Sequence, residues 1–242
     1  MVLTTIDLVN GILSLIFITI ATIVGIRVAS KYFKTKRTTP LYIGIAWVII
    51  VSPWWGSAAS VLVALATGGD GLSLPAYLLI ANIVTPFFIV FLIAGFTNFY
   101  FKEKQKIIVG IWLIIEIIFE IYLIYFIIVD PSIHGELNGV VDISYTGLWR
   151  IYLIVHIILI LIIGTAIALN SIKSQDTEIK FRGYFLLLAF ISFTVGAIAD
   201  ASLTLNFVTL LIIRIILISS ALEFYLGFIM PKWLKNIIIK EK

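Results

Sequence analysis

The chain has 242 residues, of which 62% are apolar, 12% charged and none cysteine, and its mean hydropathy is +1.17. A soluble domain is about 45–50% apolar and about 25% charged, so a soluble globular fold, a disordered chain and a disulfide-stapled module are excluded. The formal charge of +4 is too small and too scattered for a nucleic-acid footprint. What remains is a polytopic membrane protein whose first partner is the lipid bilayer.

A hydrocarbon core about 30 Å thick needs roughly 20 mostly apolar residues per helix. Seven runs meet this, at 8–30, 41–66, 75–100, 107–129, 147–170, 183–204 and 207–229. They predict an all-α, seven-transmembrane-helix bundle forming a single domain over 1–242. The runs are continuous, whereas barrel strands would alternate polar and apolar residues.

The first run is too long for a cleaved signal peptide, and its positive charge follows it rather than preceding it. The second carries Pro53-Trp54-Trp55-Gly56 near its middle and ends at Gly68-Gly69-Asp70-Gly71. Pro75 opens the third, which holds Asn82 and Pro86. Mid-span prolines kink helices and free carbonyls that neighbours must satisfy. Two tryptophans at mid-depth are suited to floor an apolar ligand pocket, or simply to pack beside the kink. Asp130-Pro131 ends the fourth run. In the loop that follows, 130–146, Asn138-Gly139 lies between short apolar stretches, which predicts a hairpin placed to cap one mouth of the bundle. Thr204, Leu205 and Asn206 alone separate the sixth and seventh runs, so these are tightly joined neighbours.

Lysine and arginine set orientation. Fifteen of the seventeen fall on the side of the loops near 31–37, 102–106 and 173–182 and of the C-terminal tail; the exceptions are Arg150 and Arg214. Asp7, Asp70, Asp130, Glu136 and Asp142 fall on the other side. The expectation is N-terminus outside and C-terminus cytoplasmic, in a cell membrane.

Ionisable residues inside spans are costly and tend to face the bundle interior. Here they are Glu116, Glu120, His156, Asp200, Arg214 and Glu223. At 1.5 Å per residue, Asp200 lies about 6 Å and Arg214 about 10 Å below the boundary they share, so the two can pair across adjacent helices. Such a pair fixes helix register or acts in ligand binding or switching. Glu116 and Glu120 share a face of the fourth helix. Glu120 and His156 each lie nine residues from the ends of their helices nearest that same boundary, and so are expected to pair. Glu223 is expected to snorkel or to meet a basic residue such as Arg27.

Several chemistries are excluded by inventory. Two histidines cannot build a three-histidine zinc site or, with one in a loop, a bis-histidine haem site between helices. No lysine lies deep in a span, so a retinal Schiff base is excluded. No P-loop, HExxH or GxSxG sequence occurs. No catalytic residues, cofactor or metal ligands are therefore expected.

Residues 214–236 read RIILISSALEFYLGFIMPKWLKN. This stretch resembles the end of the N-terminal seven-helix sensor region of archaeal and bacterial histidine kinases, through Tyr225, Leu226, Gly227, Phe228, Pro231, Trp233 and Lys235. Helix count and topology also match that family over almost the whole chain. In the family a cytoplasmic PAS, dimerisation or ATPase module follows. Here eleven residues follow Pro231. The resemblance therefore implies a stand-alone sensor-like region whose output passes through a cytoplasmic partner or a module not present in this sequence.

The functional expectation is a receptor-like sensor. It would bind a small apolar or amphipathic ligand near Trp54, Trp55, Asn82, His156 and Asp200, with Asp200–Arg214 as the element that switches. A small-solute transporter of the seven-helix type is one alternative. Pro53 and Pro86 have no counterparts in the sixth and seventh runs, as paired repeats would require. A structural subunit of a membrane complex is the other. Ligand identity and oligomeric state are not readable.

Overall fold

The computed structural model describes residues 3–203 and 205–238. Helix α1 (Thr5–Ala29) opens with a capping box: Thr4 Oγ1 accepts from the Asp7 N–H, and the Thr4 N–H donates back to Asp7. A short α2 (Lys31–Thr35) leads to α3 (Thr38–Ile50) and α4 (Pro53–Thr67), then α5 (Leu74–Asn82), α6 (Phe87–Tyr100) and α7 (Gln105–Val129). Strands β1 (Gly135–Asn138) and β2 (Asp142–Tyr145) form an antiparallel hairpin. The chain continues through α8 (Gly147–Ile172), α9 (Thr177–Ser202), α10 (Phe207–Ile229) and α11 (Lys232–Ile238).

Six helices, α5–α6 counted as one, are long and apolar enough to cross a membrane; the bent pair α3–α4 makes seven if it is one span. Large apolar side chains such as Ile114, Ile121 and Ile128 point outward from α7, the least buried of these helices. An apolar exterior of this extent has no place in water. The chain is a multi-pass membrane protein built on a helical bundle, with one short hairpin.

Helix α1 packs between α3–α4 and α10, α3 against α6, α4 against α5, α8 against α9 and α9 against α10; α6 also meets α7 and α8. The bundle thus closes on itself. The basic loops lie at one end, the hairpin and the start of α1 at the other. The core toward the basic end is aromatic: Trp47 stacks on Phe224 with ring centroids 3.7 Å apart, flanked by Phe190 and Phe193.

The two mid-span prolines act as expected, and in parallel. Proline has no N–H to offer the carbonyl one turn back. The residue before each one donates instead: Ser52 N–H to the Ile49 carbonyl and Thr85 N–H to the Asn82 carbonyl, both at 2.9 Å. The two hydroxyls then bond each other at 2.7 Å, with Thr85 also donating to the Ala81 carbonyl. At the first break the axis turns by 48°.

Helices α1 and α3 cross at Gly25 and Gly44. A Cβ on Gly44 would stand 2.5 Å from both the Ala29 nitrogen and the Gly25 carbonyl oxygen. These are backbone atoms and cannot swing aside. Gly44→Ala is therefore expected to destabilise the bundle by about 1–3 kcal/mol. Gly110→Ala, where the added methyl meets open space, is expected to be neutral or stabilising by up to about 1 kcal/mol. Thermal unfolding of both variants in one detergent checks the contrast.

The hairpin turn has three residues, Gly139–Val141, because Asn138 pairs with Asp142; Gly139 takes φ +75°. Helix α10 ends at Ile229, with Met230 in the left-handed region, before Pro231 is reached. Thr204, placed at the end of the sixth run, lies outside the described residues, as do Lys240 and Lys242 in the tail.

Candidate functional site

The break at Ser52–Pro53 turns the first residues of α4 inward. Trp54 packs edge-on against Phe17 at 5.1 Å and Phe193 at 6.1 Å. Its indole N–H donates to Asp200 Oδ2 at 2.8 Å. The other Asp200 oxygen accepts from Arg214 Nη1, also at 2.8 Å. Arg214 is almost fully buried, and its Nε and Nη2 both donate to Asn10 Oδ1, at 3.2 and 2.7 Å. One polar chain, Trp54–Asp200–Arg214–Asn10, thus ties α4, α9, α10 and α1 together. An arginine fork with three such bonds is the arrangement that makes a buried guanidinium tolerable.

Beside this chain lies a cavity of about 90 Å³, walled by Trp54, Tyr77, Phe88, His156, Phe193 and Asp200 among others. Asp142, Ile143 and Tyr145 of β2 close it at the hairpin end. A second cavity of about 190 Å³ lies between the hairpin, α8 and the α9–α10 turn, with Arg150, Ser202 and Leu205 in its wall. The two share Asp142, Ile143, Tyr145, Leu153, Asp200 and Ala201, so the outer one is a vestibule to the inner.

The hairpin is pinned into the bundle. Val140 and Val141 are buried against Val61 and Ala64, a gain of roughly 1.5–3 kcal/mol for each valine relative to exposure. The Val140 N–H donates to Asp7 Oδ1 at 3.2 Å. Ser60 donates to the Val140 carbonyl at 2.5 Å and Tyr77 to the Val141 carbonyl at 3.3 Å. Three helices therefore hold one turn. Burial pushes the Asp142 carboxyl up to about 6, and the nearby Asp200 carboxylate adds to the shift.

A second polar cluster adjoins the cavity through His156. Glu116 is fully buried; Tyr152 donates to its Oε2 at 2.5 Å, and His156 Nε2 lies 3.1 Å from its Oε1. His156 Nδ1 is 2.8 Å from the Tyr152 carbonyl, which can only accept, so Nδ1 carries a hydrogen. One further proton lies between Nε2 and Oε1. The cluster is either a histidinium–carboxylate pair or a neutral imidazole bonded to a carboxylic acid.

Of the expected ligand residues, Trp54, His156 and Asp200 line one cavity. Trp55 and Asn82 do not. Trp55 is half-buried. Asn82 is buried behind the wall, where it bonds the Tyr145 hydroxyl and accepts from the Trp149 indole at 3.3 Å. Asp200 and Arg214 pair. Glu120 and His156 do not: the partner of His156 is Glu116. Equal residue counts from the helix ends do not mean equal depth here, because α7 runs about one turn beyond the start of α8. Glu120 Oε2 is buried and makes no hydrogen bond. Glu223 lies beside Ser192 and Ser219, and no ion pair joins it to Arg27 among the described residues. Lys235, in the stretch that carries the family resemblance, reaches Glu178 at 2.7 Å.

Asn10, Asp142, Tyr77, Tyr145 and Tyr152 were not among the expected site residues. Asn10 carried a signal, as the only amide in the first apolar run. Asp142 and Tyr145 carried none, since nothing in a loop sequence says that it folds inward.

Fold and site together define a polytopic helical membrane protein with a cavity inside its bundle. Compared with known proteins, the chain matches no family model, no curated protein and no solved structure.

Proposed function

We propose that this protein is a receptor-like, seven-span membrane sensor. It takes a small apolar or amphipathic molecule into the cavity and passes the change to its basic end, where cytoplasmic loops or a partner read it. The α3–α4 pair counts as one bent span, the hairpin end faces outside and the C-terminus lies in the cytoplasm. Orientation rests on the placement of fifteen of seventeen basic residues. The likeness of residues 214–236 to sensor regions of histidine kinases supports the same reading.

The observation that carries it is the cavity wall itself. Trp54 and Asp200 belong both to that wall and to the polar chain through Arg214 to Asn10. An occupant that displaces Trp54 disturbs one end of a hydrogen-bonded chain that links four helices. Helix α10 carries that movement toward α11 and the Lys235–Glu178 bridge. Packed interfaces of this kind hold discrete arrangements rather than deforming continuously.

The absence of cysteine allows a clean test. Ser174→Cys, labelled with bimane in proteoliposomes, reports on the basic end. Benzene is expected to shift the bimane emission. Adding Ala197→Phe, which fills the cavity wall, is expected to abolish the shift. An unchanged emission at saturating benzene would sink the sensor reading, and saturable uptake of glucose by the same vesicles would replace it with a transporter.

A further inference from the structure

We propose that the occupant of the cavity is a small organic monocation, an alkylated ammonium held at Asp142; this rests on the cavity being a ligand site. The inner wall contributes two carboxylates, Asp142 and Asp200, and no lysine or arginine. Asp200 is already engaged by Trp54 and Arg214. Asp142 is not: the nearby Asn138 amide donates to Ser144 instead, and among the described residues no basic group forms an ion pair with Asp142. Arg214 and Arg150 lie nearby but neither is within ion-pair distance, so this carboxylate on a largely apolar wall has no direct cationic partner among the described residues. An anion would face two negative groups there, and a neutral molecule would leave Asp142 uncompensated.

The rest of the wall suits an alkylated head. Trp54, Tyr77, Phe88, Tyr145 and Phe193 present aromatic rings, and a desolvated cation is attracted to the faces of such rings. The volume of about 90 Å³ admits a compact head group. The vestibule, about 190 Å³, has Asn138, Ser144, Ser202 and Arg150 in its wall. It accommodates a short polar tail, and Arg150 disfavours a second positive charge.

Protonation of Asp142 weakens this site. Facing it are Asp200 from α9, Arg214 from α10, Arg150 and, across the cavity, His156 from α8, Tyr77 from α5 and Tyr145 on its own strand. Burial, and then the Asp200 carboxylate, push its carboxyl up to about 6. Below that pH the negative charge is lost, so cation affinity falls with acidification.

The test is isothermal titration of the full chain in lipid nanodiscs with choline and with its neutral carbon isostere, 3,3-dimethylbutan-1-ol. Choline is expected to bind at least roughly tenfold more tightly than the isostere. Asp142→Asn should bring choline affinity down to that of the isostere measured on the same variant. Choline affinity in the parent should drop between about pH 7.5 and about pH 5. Isostere binding equal to or tighter than choline overturns the cation and leaves the cavity reading standing. Binding of neither overturns both. If Asp142→Asn does not fold, the choline-to-isostere ratio and its pH dependence in the parent decide alone.

Discussion

Arg214→Ala is expected to lower the stability of the bundle by about 3–5 kcal/mol, the range for stripping one partner from a buried ion pair. The side chain of Arg214 is 1% exposed and that of Asp200 18%. Removal leaves the Asp200 carboxylate with only the Trp54 indole as donor and leaves Asn10 Oδ1 without either of its bonds. Partial access of Asp200 to water places the effect toward the lower end of that range. Arg214→Ala combined with Asp200→Ala should recover part of the loss, because the stranded charge is then gone. Coupling of about 1–3 kcal/mol is expected from the double-mutant cycle, measured by unfolding in detergent and by folded yield. A double variant no more stable than the worse single variant would show that the two side chains are not energetically paired.

Glu116→Ala should cost about 2–4 kcal/mol. Two buried groups, the Tyr152 hydroxyl and His156 Nε2, lose their partner at once, and each unsatisfied group costs about 1–3 kcal/mol. Glu116→Gln preserves the shape and can still accept from Tyr152 and donate to a neutral His156, so a loss within about 1 kcal/mol is expected. Glu120→Ala removes a side chain with an unbonded buried oxygen and should be nearly neutral. The order Glu116→Ala far below Glu116→Gln and Glu120→Ala in melting temperature is the check. A larger loss from Glu120→Ala than from Glu116→Ala would contradict the assignment of the histidine's partner.

These two sites also show what could be read from the amino-acid order. Asp200 and Arg214 were legible as neighbours because a tight turn joins their helices, so depth counted from that turn is shared. Glu120 and His156 were misjudged because seventeen residues, 130–146, separate their helices and leave the relative level of the ends open. The bend after Ile50 and the break before Phe87 were readable from proline alone. That Ser52 and Thr85 would meet was not, since it depends on how two spans align in space. Asn10 and Arg214 lie 204 positions apart, and no local pattern links them. The hairpin was legible as a turn at Asn138-Gly139, but its burial was not, because the groups that hold it (Asp7, Ser60 and Tyr77) come from three distant segments.

The bond between Ser52 and Thr85 has a mechanical meaning. Each hydroxyl sits at the flexible point of its own span, and a single 2.7 Å contact joins the two points. It works as a pin through two hinges: neither span can change its angle without dragging the other. Pro53 and Thr85 are both in the cavity wall, so the proposed occupant would rest against that pin. Above it lies the polar chain from Trp54 to Asn10, and below it the close stack of Trp47 on Phe224. The bundle is thereby divided into a polar cup toward the hairpin and an aromatic stem toward the basic end.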